Sequence, residues 1–149
     1  MEIENSRCHR DSGASLIMRW AIGLFLIAHG LIHGSYLLTQ PVRKPGAPAW
    51  PFQIDRSWLF SGMGVGSSAV RTLGRRLAQL TVVGFVIAGC GLLLGQGWWR
   101  AAALLGAASS LLLMGLYYHS WLLLGMAISG ALLIALIWLN WPPSQLVGS

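Results

Sequence analysis

The chain has 149 residues, of which 55% are hydrophobic and only 9% are charged. Because a soluble domain carries about 25% charged residues, this composition excludes an ordinary soluble fold and indicates an integral membrane protein. The formal net charge of +6 would suggest a nucleic-acid partner in a soluble protein. Here the basic residues flank apolar segments, so we expect contact with anionic lipid headgroups and no nucleic acid.

Four predominantly apolar runs approach the length of about 20 helical residues that a hydrocarbon core about 30 Å thick requires. They predict an all-α integral membrane protein, an up-and-down four-helix transmembrane bundle with one long interfacial loop between helices 1 and 2. The predicted helices are residues 16–39, 77–95, 101–117 and 121–141, within a membrane domain of residues 16–142. Residues 1–15 mix both charge signs and predict a mobile polar tail, and residues 143–149 predict a C-terminal tail.

The loop over residues 40–76 is the one long connection. Four prolines between residues 41 and 51 exclude a regular helix in its first part. Aromatic residues around Asp55 and Arg56 then predict a segment lying in the membrane interface. After a glycine-rich break, Ser67 or Ser68 is expected to cap a helix whose polar first turns carry three arginines. Helix 2 is thus expected to begin among the headgroups.

The connections between helices 2, 3 and 4 are short, so these helices are expected to be sequential antiparallel neighbours. Lys and Arg residues divide four to six between the two sides, the larger number on the side of the long loop. This difference leans towards a cytoplasmic loop but leaves the orientation undetermined. The architecture resembles that of many small four-helix bacterial membrane proteins, and we expect a bacterial inner (plasma) membrane.

Small residues recur at positions where helices can approach closely. Gly30 and Gly34 form a GxxxG pattern in helix 1, and Gly125 and Ser129 mark helix 4. In lipid, such residues allow close backbone packing. Packing inside the chain is the preferred interpretation, with a homo-oligomer as the alternative.

The four apolar runs contain no Asp, Glu or Lys. Proton-driven small exporters need a membrane-embedded carboxylate, and carboxylate-bridged di-metal bundles need several glutamates. Neither class is therefore favoured, and no Ser/His/Asp arrangement can be assembled from the runs. We predict no catalytic residue, and an enzyme is not favoured.

The stretch LIAHGLIHGSYL, residues 26–37, sets His29 and His33 four residues apart on one helix face. Such polar side chains are expected to face protein or a cavity. The predicted topology brings the end of helix 3 back to the same side of the bundle. The candidate cofactor or metal site is therefore His29, His33 and His119, supported by Tyr36, Tyr118 and Asp55.

Several ligands suit this candidate site. A haem would pair His29 or His33 with His119, because its axial ligands lie on opposite faces. A metal ion would use the two helical histidines and take His119 or Asp55 as a third ligand. A chlorophyll-type pigment would need a single axial histidine. Alternatively, the histidines are neutral and hydrogen-bonded to neighbouring helices, to tyrosine hydroxyls or to Ser129, and hold the helices together.

Three functions follow from these observations. The leading hypothesis is an accessory or assembly subunit that packs against partner subunits of a larger membrane complex, because the sequence shows no soluble domain, acidic relay or nucleotide loop. The alternative is a haem-, metal- or pigment-binding redox protein that uses the His29 and His33 stripe. The second alternative is a small channel or carrier, with Ile22 and Leu26 at its constriction.

Overall fold

The computed structural model describes residues 2–38, 46 and 51–147, and for residues 2–12, 144 and 145 the backbone alone. All regular structure in these residues is helical. The α-helices are α1 (Glu2–His33), α2 (Trp58–Gly62), α3 (Ser67–Leu93), α4 (Trp99–Leu116), α5 (Leu123–Ile137) and α6 (Ser144–Val147). A 3-10 turn at Gly34–Leu37 follows α1, and another at Ser120–Leu122 precedes α5.

Among the described residues, four helical segments are long and apolar enough to cross a membrane. They are Gly13–Leu37, Ser67–Leu93, Trp99–Leu116 and Ser120–Ile137. The most apolar stretches of α3 and α4 are 50% and 44% buried within the protein, whereas those of α1 and α5 are 22% and 17% buried. The predicted set of four apolar helices is confirmed, and α3 and α4 form its interior.

Helix α3 is the central element, because it packs against α1 on one side and α4 on the other. At the α3–α4 contact a Cβ atom on Gly84 would lie 2.9 Å from the backbone of Gly106. At the α1–α3 contact a Cβ on Gly89 would lie 2.5 Å from the carbonyl oxygen of Gly23. Only glycine permits backbones to approach this closely. Helix α5 packs mainly against α4.

Several helix ends differ from their expected positions. Helix α1 begins at Glu2 instead of residue 16, so the backbone of the predicted polar tail continues the first helix. Extending a formed helix adds one hydrogen bond for each residue fixed, so an apolar helix can propagate into a polar flank. In the predicted C-terminal tail, α6 folds back against α1, and Val147 is 1% exposed. Its apolar side chain joins the core.

Helix α3 begins at Ser67, where a polar first part of the helix was expected, ten residues before the predicted apolar run at residue 77. The N-cap is Gly66 and makes no side-chain hydrogen bond, so the expected serine cap is wrong. The hydroxyl of Thr72 instead bonds the carbonyl of Ser68 within the first turns. The polar part of α3 occupies the end of the expected loop, and α5 ends at Ile137, before the expected residue 141.

The second half of the long loop is fastened to the end of α4. Ser57 Oγ donates to the carbonyl of Leu116 at 2.7 Å, and Trp58 Nε1 donates to that of Gly115 at 2.7 Å. These carbonyls belong to the last turn of α4, where intrahelical donors run out. The loop side chains therefore supply hydrogen-bond donors to carbonyl groups at the end of α4. Residues 39–45 and 47–50, with most of the predicted proline-rich part, lie outside the described residues.

Buried apolar side chains form two clusters at different heights along the helices. The α6-side cluster contains Leu26, Phe85, Ala88, Leu92, Trp99, Ala103, Ala107, Leu136 and Val147. The loop-side cluster contains Tyr36, Ile54, Val70, Leu77, Ala78, Leu113, Met114, Tyr117 and Leu122. Helix α1 contributes Leu26 to the first, and the turn after it contributes Tyr36 to the second. The two histidines lie between these positions along the chain.

Candidate functional site

The two histidines of the predicted stripe lie side by side on α1 and are both buried. His29 is 5% exposed and His33 is 3% exposed. Their ring centroids are 5.1 Å apart and the ring planes are nearly perpendicular, as the one-turn spacing allows. Both rings pack inside the protein, and the Nε2 atom of each lies within hydrogen-bond distance of a serine hydroxyl.

Two serines from other helices connect the histidines. His29 Nε2 lies 3.2 Å from Ser129 Oγ on α5, and His33 Nε2 lies 3.0 Å from Ser110 Oγ on α4. The two hydroxyls are 2.8 Å apart. We call these four side chains the His–Ser network. Its three hydrogen bonds tie α1, α4 and α5 together at one level.

The number of protons in the network restricts the histidine tautomers. Three hydrogen bonds need three donated protons, and each serine hydroxyl supplies one. At least one imidazole must therefore donate from Nε2. If both histidines carried their proton on Nδ1 alone, one hydrogen bond of the chain would have no proton.

His33 is the better donor of the two. Its Nδ1 is buried and has no hydrogen-bond partner among the described residues. A buried N–H without an acceptor is rarer in proteins than a buried lone pair without a donor. We therefore assign the proton of His33 to Nε2, where it is donated to Ser110, and leave Nδ1 with a bare lone pair.

Aromatic rings enclose the two imidazoles. Phe85 on α3 is fully buried, meets the His29 ring edge-on with centroids 4.9 Å apart, and stacks on the His33 ring at 6.4 Å. The ring of Phe25 stacks on the ring of His29, with centroids 5.8 Å apart. Tyr36 stacks on His33 at 6.4 Å. The imidazoles therefore stand among ring faces and edges, and not in an open cleft.

The structure does not bring His119 to the two buried histidines as a third ligand. His119 follows α4, and its Nδ1 accepts a hydrogen bond from the backbone N–H of Trp121 at 3.2 Å. The described part of the chain contains no group of three His, Cys, Asp or Glu side chains that could hold a metal ion. Tyr118, a predicted supporting residue, is 53% exposed. The predicted topology assigned Tyr118 and His119 to the long-loop end of the helices but gave no distance between them and the two buried histidines.

The other two supporting residues come together at the loop. Tyr36 is 1% exposed, and its ring meets Phe52 edge-on with centroids 5.1 Å apart. Its hydroxyl is buried and finds no partner in residues 2–38, 46 and 51–147. Tyr36 and Asp55 line a cavity of about 200 Å³, which Arg71 and Arg75 also line. This cavity lies next to the His33 side of the network.

The predicted packing residues differ in what surrounds them. A Cβ on Gly30 would lie 2.7 Å from Cβ of Phe85, and one on Gly125 would lie 3.0 Å from Sδ of Met114. Both glycines therefore sit at close contacts inside the chain. A Cβ on Gly34 would meet nothing within 4 Å. Gly34 starts the 3-10 turn after α1 and does not complete the expected GxxxG contact.

Sequence reasoning missed Ser110 and Phe85 as parts of the site. Ser110 stands beside Ser109, whose hydroxyl bonds back to the carbonyls of Leu105 and Gly106. The hydroxyl of Ser109 also accepts a hydrogen bond from that of Thr81 at 3.0 Å, which links α4 to α3. A serine in an apolar helix was the available signal, because such a hydroxyl bonds either its own helix or a neighbour.

The chain was compared with protein-family models, with curated proteins and with solved structures, and none of the three comparisons gives a match.

Proposed function

We propose that the protein is an integral membrane protein in which α1, α3, α4 and α5 cross the bilayer up and down as a four-helix bundle. Large apolar side chains on the outer faces support this. Leu24 is 53% exposed, Ile32 is 59% exposed, Leu112 is 53% exposed and Leu124 is 72% exposed. Lipid is the solvent that suits such faces. We expect a bacterial inner membrane as the location.

Membrane insertion is tested by extracting isolated membranes with alkaline carbonate and then with detergent. An integral bundle stays in the pellet after carbonate and is released only by detergent. Release by carbonate would contradict insertion and leave the protein as a peripheral one.

We further propose that the protein is an accessory or assembly subunit of a larger membrane complex. The observation that carries this proposal is that the His–Ser network bonds to itself. All four atoms that form its hydrogen bonds have partners within it: Ser110 Oγ, Ser129 Oγ, His29 Nε2 and His33 Nε2. Together with the absence of carboxylates from the apolar runs, this favours a scaffold of fixed helices over a catalytic centre.

The outer face of α5 suits a partner helix. Leu124, Ala127, Ala131, Ile134 and Trp138 are exposed and follow one another at steps of three and four residues. Ala127 and Ala131 would let another helix approach closely. Of the four apolar helices, α5 also has the smallest buried share of its most apolar stretch.

The subunit proposal is tested by purifying the tagged protein from its native membranes in mild detergent and weighing the intact particle by native mass spectrometry. A fixed stoichiometry with one other chain is expected, and Ala127→Trp should abolish it. Exposed Leu105 on α4 provides a matched control as Leu105→Trp. A particle that contains this chain alone, with enzymatic turnover, would contradict the proposal.

A ligand or redox role for the histidine pair is the second candidate function. The observation that favours it is the bare Nδ1 of His33, which has no partner in the described part of the chain. An absorption spectrum and a metal analysis of the purified protein test this role. Both signals should disappear in His33→Gln but persist in His119→Gln. A colourless, metal-free preparation excludes a haem, pigment or tightly bound metal.

The channel or carrier alternative has no comparable support. Leu26, the expected constriction, is 1% exposed and packs in the α6-side cluster with Phe85 and Trp99. The polar stripe therefore ends against packed apolar side chains. This alternative stays a prediction, which flux measurements in liposomes would test.

A further inference from the structure

We propose that the cavity between the long loop and α3 binds a phosphate group through Arg71, Arg75 and the hydroxyl of Tyr36. The cavity holds about 200 Å³, enough for a phosphate and the atoms that carry it. The phosphate belongs either to a lipid headgroup or to a soluble compound. The lipid source rests on the proposed membrane insertion, whereas the chemistry of the site does not.

The two arginines provide the charge. Arg71 and Arg75 stand four residues apart in the first turns of α3, so their side chains leave the same face one turn apart. Both line the cavity. A guanidinium presents a planar fork of N–H donors that matches phosphate oxygens, and two such forks can hold one phosphate. Neighbouring Arg76 is not in the lining and has its Nη1 3.5 Å from Oε1 of Gln79.

Tyr36 provides an independent reason to expect a ligand. Its side chain is 1% exposed and lines the same cavity, and its hydroxyl is without a partner among the described residues. Leaving a buried hydroxyl unbonded costs stability, and native proteins rarely do so. A phosphate oxygen held by the arginines would accept the hydrogen bond from this hydroxyl.

The charge of the lining favours a phosphodiester. Asp55 also lines the cavity, and its carboxylate offsets one of the two guanidinium charges. Among the described residues of the lining, one positive charge remains, and it matches a phosphodiester, which carries one negative charge. The apolar side chains of Leu38, Phe52 and Ile54 also line the cavity. They suit the glycerol and first acyl carbons of a phospholipid better than a fully hydrated ion.

The lipid arm of the test uses native mass spectrometry of the full chain in detergent. Phosphatidylglycerol is titrated as the probe, and diacylglycerol, which lacks the phosphate, is the reference. We expect one retained phosphatidylglycerol. Each charge-assisted contact is worth about tenfold in affinity, so Arg71→Gln/Arg75→Gln should weaken binding at least tenfold. Tyr36→Phe, which keeps the ring, should weaken it about threefold to tenfold, and Arg76→Gln should change it less than about twofold.

The soluble arm titrates inorganic phosphate and glycerol phosphate against the same variants and follows the melting temperature. Stabilisation that depends on Arg71 and Arg75 supports the same site with a soluble source. Equal losses in Arg76→Gln and Arg71→Gln/Arg75→Gln, or no binding in either arm by protein that circular dichroism shows to be helical, would overturn the proposal. Carbonate extraction tests membrane insertion independently of phosphate binding. A protein that stays in the membrane but binds no phosphate would therefore contradict the phosphate site and leave the proposed insertion standing.

Discussion

Ser110 on α4 and Ser129 on α5 lie hydroxyl to hydroxyl at 2.8 Å, and through this one contact the two histidines of α1 are joined. The serines come from different helices and are 19 residues apart in the chain. The contact therefore fixes how α5 is placed against α4, and both against α1. Removing either hydroxyl should loosen three helices together.

We expect Ser110→Ala to lower the free energy of unfolding by about 1 to 3 kcal/mol, because it removes two hydrogen bonds and leaves buried partners unsatisfied. Unfolding in mixed detergent micelles, followed by circular dichroism, measures the loss. Ser120→Ala is the control, since Ser120 is exposed and should change stability by less than about 0.5 kcal/mol. Equal stability of the two variants would mean that the network does not hold the helices.

We expect Gly84→Ala to destabilise the protein by about 1 to 3 kcal/mol, because the added Cβ would stand 2.9 Å from the backbone of Gly106 and force α3 and α4 apart. Gly130→Ala on α5 is the matched control. A Cβ there would meet nothing within 4 Å, so alanine should be neutral or stabilise the helix by up to about 1 kcal/mol. Thermal unfolding in one detergent compares the two. A neutral Gly84→Ala would contradict the tight α3–α4 contact.

We expect His33 to be a neutral imidazole with its proton on Nε2 and a bare Nδ1. Nitrogen-15 spectra of histidine-labelled protein distinguish the two tautomers by the shifts of each ring nitrogen. His9→Gln and His119→Gln remove the signals of the other two histidines. Because the network needs at least one donated Nε2–H, spectra with protons on Nδ1 alone in both His29 and His33 would rule out the chain of three hydrogen bonds.

We expect the protein to lose stability at high pH because the buried hydroxyl of Tyr117 ionises. Tyr117 follows the last residue of α4, its hydroxyl donates to the carbonyl of Val70, and burial raises its pKa above the ordinary value of 10.0. The unfolded chain therefore loses this proton first, so the stabilisation is present below pH 10 and is lost as the pH rises above it. The free energy of unfolding, measured between pH 8 and about 11, should fall less steeply with pH in Tyr117→Phe than in the unmodified protein.

Tyr118→Phe is the control for the alkaline series, because Tyr118 is 53% exposed. Its pH dependence should follow that of the unmodified protein. If Tyr117→Phe and Tyr118→Phe reduce the pH dependence of the free energy of unfolding equally, the loss of stability at high pH does not come from the buried hydroxyl of Tyr117.

The apolar helices were readable from the sequence because length and hydropathy are local properties. The histidine face was readable as well, since residues four apart share a side of any helix. The pairing of His33 with Ser110 was not, because these residues are 77 apart and the sequence does not give the relative height of α1 and α4. His119 shows the same limit: the predicted topology assigned it to the long-loop end of the helices but gave no distance from the network.

The loop shows a different limit. Ser57 and Trp58 donate hydrogen bonds to the last carbonyls of α4. They precede α4 by some forty residues, and no local sequence pattern predicts these partners. Aromatic composition predicted an interfacial segment, which describes an environment and not a docking position. The cavity beside Tyr36 depends on that docking position, so it could only be found from the folded chain.

The His–Ser network also bears on how the chain is made. His29 and Ser129 are 100 residues apart, and synthesis proceeds at about 5 to 20 residues per second. In a protein that inserts as it is translated, α1 would therefore wait about 5 to 20 s before α5 supplies its partner. During that interval the His29 imidazole needs another polar partner, such as water or a chaperone near the insertion machinery. If the proposed insertion takes place during translation, the first helix enters the bilayer well before the partners of its histidines have been synthesised.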